Sequence, residues 1–302
     1  MWFWLSLITL LCWSGSDLFS KIGCRDAKDK YSHLKMVMAV GLVMGLHAMY
    51  EIFIGGTEIS LDIIMTYLPV SLLYIGSMAM GYLGLRYIEL SVSSPICNSS
   101  GALVAVMTLF MVGLSEYSPL ALGAVALVCV GAIGLGVVDY FEDEELRTER
   151  QKASNYKYSK SLIALALPVA YCILDAIGTF ADNRVLETLN EDSANAAYEL
   201  TFLFVGIICF IYVVVIKKDK LIPRMEAPKY IGAVCETAGQ FAYIYAIADT
   251  AHLAMSAPII SSYCAASVLW SRIFLKEKLS RKHYLMILLV VTGIAIMGFL
   301  DM

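Results

Sequence analysis

The sequence predicts an all-α polytopic membrane protein with ten transmembrane helices, arranged as two inverted five-helix repeats. Three observations carry that prediction. The 302 residues are 59% hydrophobic and only 16% charged, with a mean hydropathy of +0.73. A soluble domain of this size carries more charge. Apolar runs of about 20 residues, long enough to cross a ~30 Å hydrocarbon core, recur along the whole chain. The basic residues fall almost entirely on one side of those runs.

The same composition excludes other classes. A net charge of −4 without a basic face argues against nucleic-acid binding. The eight cysteines stand singly, with no CxxC and no Cys/His cluster. They read as small buried hydrophobes, and the sequence implies neither a metal nor a cofactor.

The opening "MWFWLSLITLLCW" has no basic n-region and no small-residue cleavage site, so it reads as the first span and not as a signal peptide. The expected spans cover residues 2–21, 34–54, 66–87, 92–113 and 119–138, then 161–181, 195–216, 229–248, 252–275 and 283–300. Between the groups lies the polar segment "DYFEDEELRTERQKASNYKYSK", residues 139–160. The expected organisation is a first repeat over 1–138, a linker over 139–160 and a second repeat over 161–302.

The two groups match. Pro95 corresponds to Pro258, Glu116 to Glu277, Gly131 to Gly293 and Gly136 to Gly298, at offsets of 161–163 residues. Trp13 and Asp17 correspond to Tyr171 and Asp175, both at offset 158. Five spans is an odd number, so a second copy must lie inverted in the membrane. Of the 22 Lys and Arg, all but Arg184 belong to the odd-numbered connections and their helix ends. The connection after span two has none, while its counterpart "IKKDKLIPRMEAPK" has five. Positive-inside bias puts the odd connections in the cytoplasm and both termini outside, with a bacterial inner membrane as the expected location. Inverted repeats of this kind are typical of secondary transporters.

The segment "APIISSYCAASVLWSRIFLKEKLSRKHYLMILLVVTGIAIMGF", residues 257–299, resembles the end of an EamA-type transporter of the drug/metabolite transporter superfamily. The resemblance rests on a proline early in a span, the turn at Glu277, Leu279 and Ser280, and a glycine-bearing last helix. The first half repeats it more loosely through Pro95, "SEYS" and "GAIGLGV", and "CWSGSDLFSK" looks like the family's first helix. The resemblance extends over nearly the whole chain. It implies transport of a small molecule, from a range that includes amino acids, sugars, nucleotide derivatives, choline-like amines and drugs. Many members are drawn with cytoplasmic termini, from which the charge-derived orientation departs.

The candidate chemistry starts at "AYCILDAIGTF", where Asp175 interrupts an apolar run. A mid-membrane carboxylate costs about 3 kcal/mol on insertion scales, so it is expected to face a cavity. Pro168, Tyr171, Gly178, Thr179 and Asp182 share its helical stripe. Asp175-Ala-Ile-Gly-Thr179 also resembles the membrane carboxylate motif of the small multidrug resistance transporters, which have Glu at the acidic position. Span one repeats the pattern with Trp13 and Asp17, although Lys21 one turn on offers a plain interfacial ion pair. In span eight, Glu236, Gln240 and Tyr243 recur at helical spacing.

Three prolines are expected to kink their helices: Pro95, Pro168 and Pro258. The stripes beyond two of them, with Asn98 and Ser99 and with Ser261 and Ser262, suit cavity-lining helices. Glu199 near the start of span seven is a further candidate, with Lys35 at the equivalent place in the first half; His47 and Glu51 read as a surface pair.

The expected function is alternating-access transport of an organic amine or other cationic or zwitterionic metabolite, coupled to protons through the carboxylates. Acidic and aromatic side chains attract a cation. A neutral or anionic substrate, such as a sugar or amino acid, is the alternative. An intramembrane enzyme would need a nucleophile–base pair or a metal constellation, and no HExxH or GxSxG appears. A membrane scaffold would lose only stability when its carboxylates are neutralised. The expected partners are the bilayer, the substrate and protons; two halves in one chain make a monomer sufficient, and a dimer stays open.

Overall fold

The computed structural model describes residues 1–24, 26, 29–87, 90–141, 162–276 and 279–300. The regular structure of the described residues is helical. In chain order the helices are α1 (Trp2–Cys24), α2 (Ser32–Tyr50), α3 (Leu61–Gly84), α4 (Leu90–Asn98), α5 (Ser100–Val112) and α6 (Pro119–Tyr140). They are followed by α7 (Leu162–Val185), α8 (Glu191–Phe210), α9 (Pro223–Ala248), α10 (Leu253–Ser261), α11 (Tyr263–Phe274) and α12 (Arg281–Leu300). Most of the expected linker, from residue 142 onward, lies outside the described residues, as does Glu277 of the repeat match.

Local chemistry sets the helix ends. The Ser60 hydroxyl accepts from the Ile63 amide at 3.2 Å to start α3, and Asn190 accepts from the Ser193 amide at 2.8 Å to start α8. Pro223 opens α9, where its missing N–H is not needed. The ends of α2 and α8 both widen into π-turns, over Glu51–Gly55 and Ile211–Ile216.

Eight helical stretches among the described residues are long and apolar enough to cross a membrane, counting α4 with α5 and α10 with α11. Large apolar side chains such as Phe53 and Phe110 point outward, the arrangement lipid requires. The two remaining long helices, α7 and α9, carry Asp175 and Asp182, and Glu226, Lys229 and Glu236.

The prolines behave differently from one another. The fourth and ninth expected spans are each broken, at Ser99 and at Ser262. Each break lies four residues beyond a proline, Pro95 or Pro258. A proline removes one rung of the helical ladder and crowds the preceding turn. By contrast, α7 runs unbroken through Pro168.

The helices pack most extensively in the pairs α1 with α9, α2 with α8, α6 with α12, α3 with α7, α2 with α9, and α5 with α10. Glycines let two of these pairs approach closely. A Cβ on Gly131 would sit 2.8 Å from the Met286 carbonyl oxygen and 2.6 Å from Val290; one on Gly293 would sit 2.7 Å from the Ala124 carbonyl oxygen and 2.6 Å from Val128. The two contacts are the same contact with the partners exchanged. Gly41 on the Phe202 carbonyl and Gly206 facing Val37 form a similar reciprocal pair.

One end of the bundle is tied by buried charge. Lys35 lies 2.8 Å from Asp219 and 3.1 Å from Asp29; Lys229 lies 3.0 Å from Glu226 and 3.4 Å from Asp29. Both lysines are buried. Lys35 therefore serves this cluster, while Glu199 has another partner, described below.

Two stability predictions follow from these contacts. Gly131→Ala and Gly293→Ala each press a methyl group against backbone and should cost about 1–3 kcal/mol. Gly123→Ala, which meets nothing within 4 Å, should leave the melting temperature in detergent unchanged. Lys229→Ala leaves Asp29 and Glu226 less compensated and should cost about 3–5 kcal/mol in the same measurement.

Candidate functional site

The helices line a cavity of about 690 Å³, a volume that includes the space at its open mouth. Asp17 and Trp13 reach it from α1, Asp175 and Tyr171 from α7, and Glu236 and Gln240 from α9. The sequence pattern placed each of these pairs on one face of a helix, and the packing brings the three faces together. Tyr74 and Tyr82 enter from α3, Tyr198 from α8 and Tyr263 from α11. No Lys, Arg or His is found among the described residues that line the cavity.

Two of the three carboxylates are held by serine. Ser94 and Ser267 donate to the same oxygen of Asp17, the second at 2.8 Å. Ser100 donates to Asp175 at 2.7 Å. Ser16, one turn along the chain from Ser20 on the cavity side of α1, lies beside Glu236. Lys21 donates to the Leu85 carbonyl oxygen at 3.0 Å, so the serines, and not a helical ion pair with Lys21, fix Asp17. A carboxylate held by neutral hydroxyls keeps its charge available to a ligand. A lysine partner would cancel it.

The aromatic wall is continuous. The Trp13 ring lies 4.9 Å from that of Tyr243 and 5.9 Å from that of Tyr263, centroid to centroid. Its indole nitrogen faces the Glu236 carbonyl oxygen at 3.4 Å. A Cβ on Gly239 would come within 2.4 Å of Trp13, so the glycine lets α9 approach that ring. Such rings present negative faces to a cation, worth up to about 2 kcal/mol when desolvated.

Other candidates stand outside the cavity. Tyr243 backs its wall and bonds Tyr74 at 2.5 Å and Thr179 at 3.0 Å. Glu199 is buried against His47 at 2.9 Å and Asn195 at 3.1 Å. His47 therefore reaches the neighbouring helix more closely than it does Glu51, at 3.8 Å. Asn98 donates to the carbonyl oxygen and hydroxyl of Ser94, so it supports the serine that holds Asp17. Ser262 donates to the Ile259 carbonyl oxygen within its own helix.

Three serines escape the sequence pattern, and so does the role of Asp182, though not its place on the Asp175 stripe. Ser94 precedes Pro95, from which the stripe was drawn, while Ser100 and Ser267 lie off the stripes because the breaks at Ser99 and Ser262 rephase the helices that follow. Asp182 is fully buried and accepts from Tyr67 at 2.6 Å and Tyr74 at 3.1 Å. Its position two turns beyond Asp175 was the available signal. Tyr74 thus touches both the cavity and a second carboxylate.

Residues 158–299 match the EamA-like transporter family. The second half of the chain belongs to that family. Its members are membrane transporters of small molecules, not enzymes, and the chain is accordingly a multi-pass integral membrane protein. No curated protein matches the sequence. A solved structure described only as "Crystal structure of protein" is similar over 99% of this chain and 96% of its own, with a TM-score of 0.64 and 13% identity. At that identity the likeness shows the fold alone, and it extends to the half the family match leaves out.

The Tyr67–Asp182 contact is open to direct test. Tyr67→Phe removes a donor from a buried carboxylate and should cost about 1.5–3 kcal/mol. A double-mutant cycle with Asp182→Asn, read by thermal unfolding, should return a coupling of at least 0.5 kcal/mol.

Proposed function

We propose that the chain is a secondary transporter for a small organic amine or another cationic or zwitterionic metabolite. The observation that carries this reading is a cavity lined by three carboxylates and an aromatic wall, with no basic side chain among its described lining residues. A positively charged group is the ligand that compensates such a cavity best. Among the described residues no three His, Cys, Asp or Glu side chains form a set that could hold a metal ion, which favours a molecular cation over a bare ion.

The reading includes ten spans in two inverted repeats, 1–138 and 161–302. The packing supports it. Exchanging the halves turns the α1–α9 pair into the α7–α3 pair, and returns α2–α8 and α6–α12 to themselves. The reciprocal glycines, Gly131 with Val290 and Gly293 with Val128, follow the 162-residue offset of the sequence match. On this scaffold the cavity lies between the halves and opens to one side at a time, with the odd-numbered connections in the cytoplasm. In this scheme Pro95 and Pro258 supply the breaks about which the fourth and ninth spans bend.

Coupling follows from competition. A carboxylate holds a proton or an ammonium group but not both, so arrival of the amine releases the proton. Asp175 takes this role first, with one serine donor against two on Asp17. Glu236 shares it, and the pair titrates together.

The test uses purified protein in liposomes. Amines, amino acids and sugars are screened for substrate-induced proton flux in wild type and Asp175→Asn. Amine-driven flux should fall at least tenfold in the variant. Amine flux that persists unchanged would move coupling away from Asp175. Flux driven by a sugar, with none from any amine, would sink the cation reading.

A further inference from the structure

We infer that Gln240 and Tyr82 form a subsite for a hydrogen-bonding group on the substrate, so that the transported molecule is a polar amine, such as an amino alcohol or amino amide, and not a purely hydrocarbon cation. The inference rests on the amine reading above and goes on to say what else the amine carries.

The starting observation is an imbalance in the cavity wall. Asp17 and Asp175 there already have serine donors. Among the described residues the Gln240 amide nitrogen and the Tyr82 hydroxyl have no hydrogen-bond partner, although both side chains are more than nine-tenths buried, at 3% and 6% exposed. Both residues line the cavity. Buried polar groups in proteins are nearly always paired, because leaving one unpaired is costly. Two such groups facing one cavity mark a place where a ligand supplies the partner.

The chemistry of the partner follows from the groups. An amide nitrogen is a donor only, and a phenol donates readily. Together they call for an acceptor: a hydroxyl, ether or carbonyl oxygen. Tyr82 can donate whichever way the Gln240 amide is turned. A hydrocarbon cation would bury both donors without compensation, and a site built to pair a polar group discriminates strongly against an analogue lacking it.

The spacing sets the size. Gln240 lies one turn beyond Glu236 on α9, about 6 Å along the helix at 1.5 Å per residue. An ammonium beside Glu236 and an oxygen beside Gln240 are then joined by two to four bonds, at the order of magnitude this rise allows. Gln240 cannot easily withdraw. Its neighbour Gly239 brings α9 hard against Trp13, which fixes the helix that carries the amide.

The experiment measures binding to the purified full-length protein for isosteric pairs: ethanolamine against propylamine, and aminopropanol against butylamine. Each hydroxylated amine should bind about tenfold tighter than its hydrocarbon twin. Gln240→Leu should erase that preference by weakening the hydroxylated member alone; Tyr82→Phe should act in the same direction to a smaller extent. Equal binding of the twins to wild type would overturn the subsite and leave the amine reading intact. So would an equal loss for both twins in Gln240→Leu, since that marks a packing role for the amide. If neither twin binds while a sugar does, the subsite and the amine reading fall together. Tyr82→Phe, which keeps the ring, guards against a Gln240 variant that fails to fold.

Discussion

A charged or polar group inside a bundle of apolar helices must be met by the protein, because lipid offers no hydrogen bonds. Most of the internal arrangement of this molecule answers to that constraint. Two carboxylates in the cavity are held by serines, Asp182 by two tyrosines, Glu199 by His47, and two lysines by three acidic side chains. These solutions differ in what they leave over. The lysine cluster largely neutralises itself, and it ties the loop after α1 to α2 and α9. The cavity carboxylates have no basic partner among the described lining residues, and they face a space open to a ligand. The division between structural and ligand-facing carboxylates is therefore a matter of what holds them, more than of how deeply they are buried.

Helical periodicity carried a good part of the site and stopped at a definite point. It put Trp13 with Asp17, Tyr171 with Asp175, and Glu236 with Gln240, because a stripe on one helix needs only that helix's 3.6-residue repeat. It could not tell which stripes meet. Glu199 and Glu236 looked alike along the chain; only packing puts one against His47 and the other beside Trp13. Lys35 and Lys229 read as loop-side charges counted for topology, and their burial depends on Asp29 and Asp219, residues of two different connections. Ser100 and Ser267 were lost to a phase error, and Ser94 because it precedes the proline from which the stripe was drawn. A stripe projected past Pro95 or Pro258 assumes a continuous helix, and the helix stops at Ser99 and Ser262. The breaks themselves were legible as prolines, while the new phase beyond each break depends on how the backbone resumes.

The fold was legible for a different reason. Length, hydropathy and charge asymmetry are summed over many residues, so local errors cancel. The proposed repeat rests mainly on glycines and prolines, the residues whose backbone demands resist substitution. Gly131 and Gly293 could be paired by offset before any contact was known. Their closeness to Val290 and Val128 gives the physical reason for the match, since a side chain at either place would strike the facing helix. Sequence likeness between the halves survives where backbones touch and fades on the lipid face, where any apolar side chain serves.

That contrast bears on how the two ends of the cavity differ. Where helices cross at glycines the halves are reciprocal, but the polar clusters at the ends are not. Tyr67 stands in α3 at the place that Lys229 holds in α9, again 162 residues apart. One belongs to a cluster of hydroxyls around a lone carboxylate, the other to a network of ion pairs. Under the proposed two-fold these are equivalent positions at opposite ends of the bundle. Polar clasps suit such places. A hydrogen bond or ion pair exchanged for water costs little net free energy, so a clasp can open where water enters and re-form where it leaves. An apolar seam exposed to water would lose the whole of its burial. Because the two clasps differ chemically, they respond differently to a proton: the carboxylate at Asp182 can take one and become a donor, whereas the lysine network is already compensated. Under the proposed two-fold, a scaffold with unlike clasps can thus alternate between two equivalent shapes without giving them equal stability, and the difference falls on the proton, the same chemical variable that the proposed coupling uses.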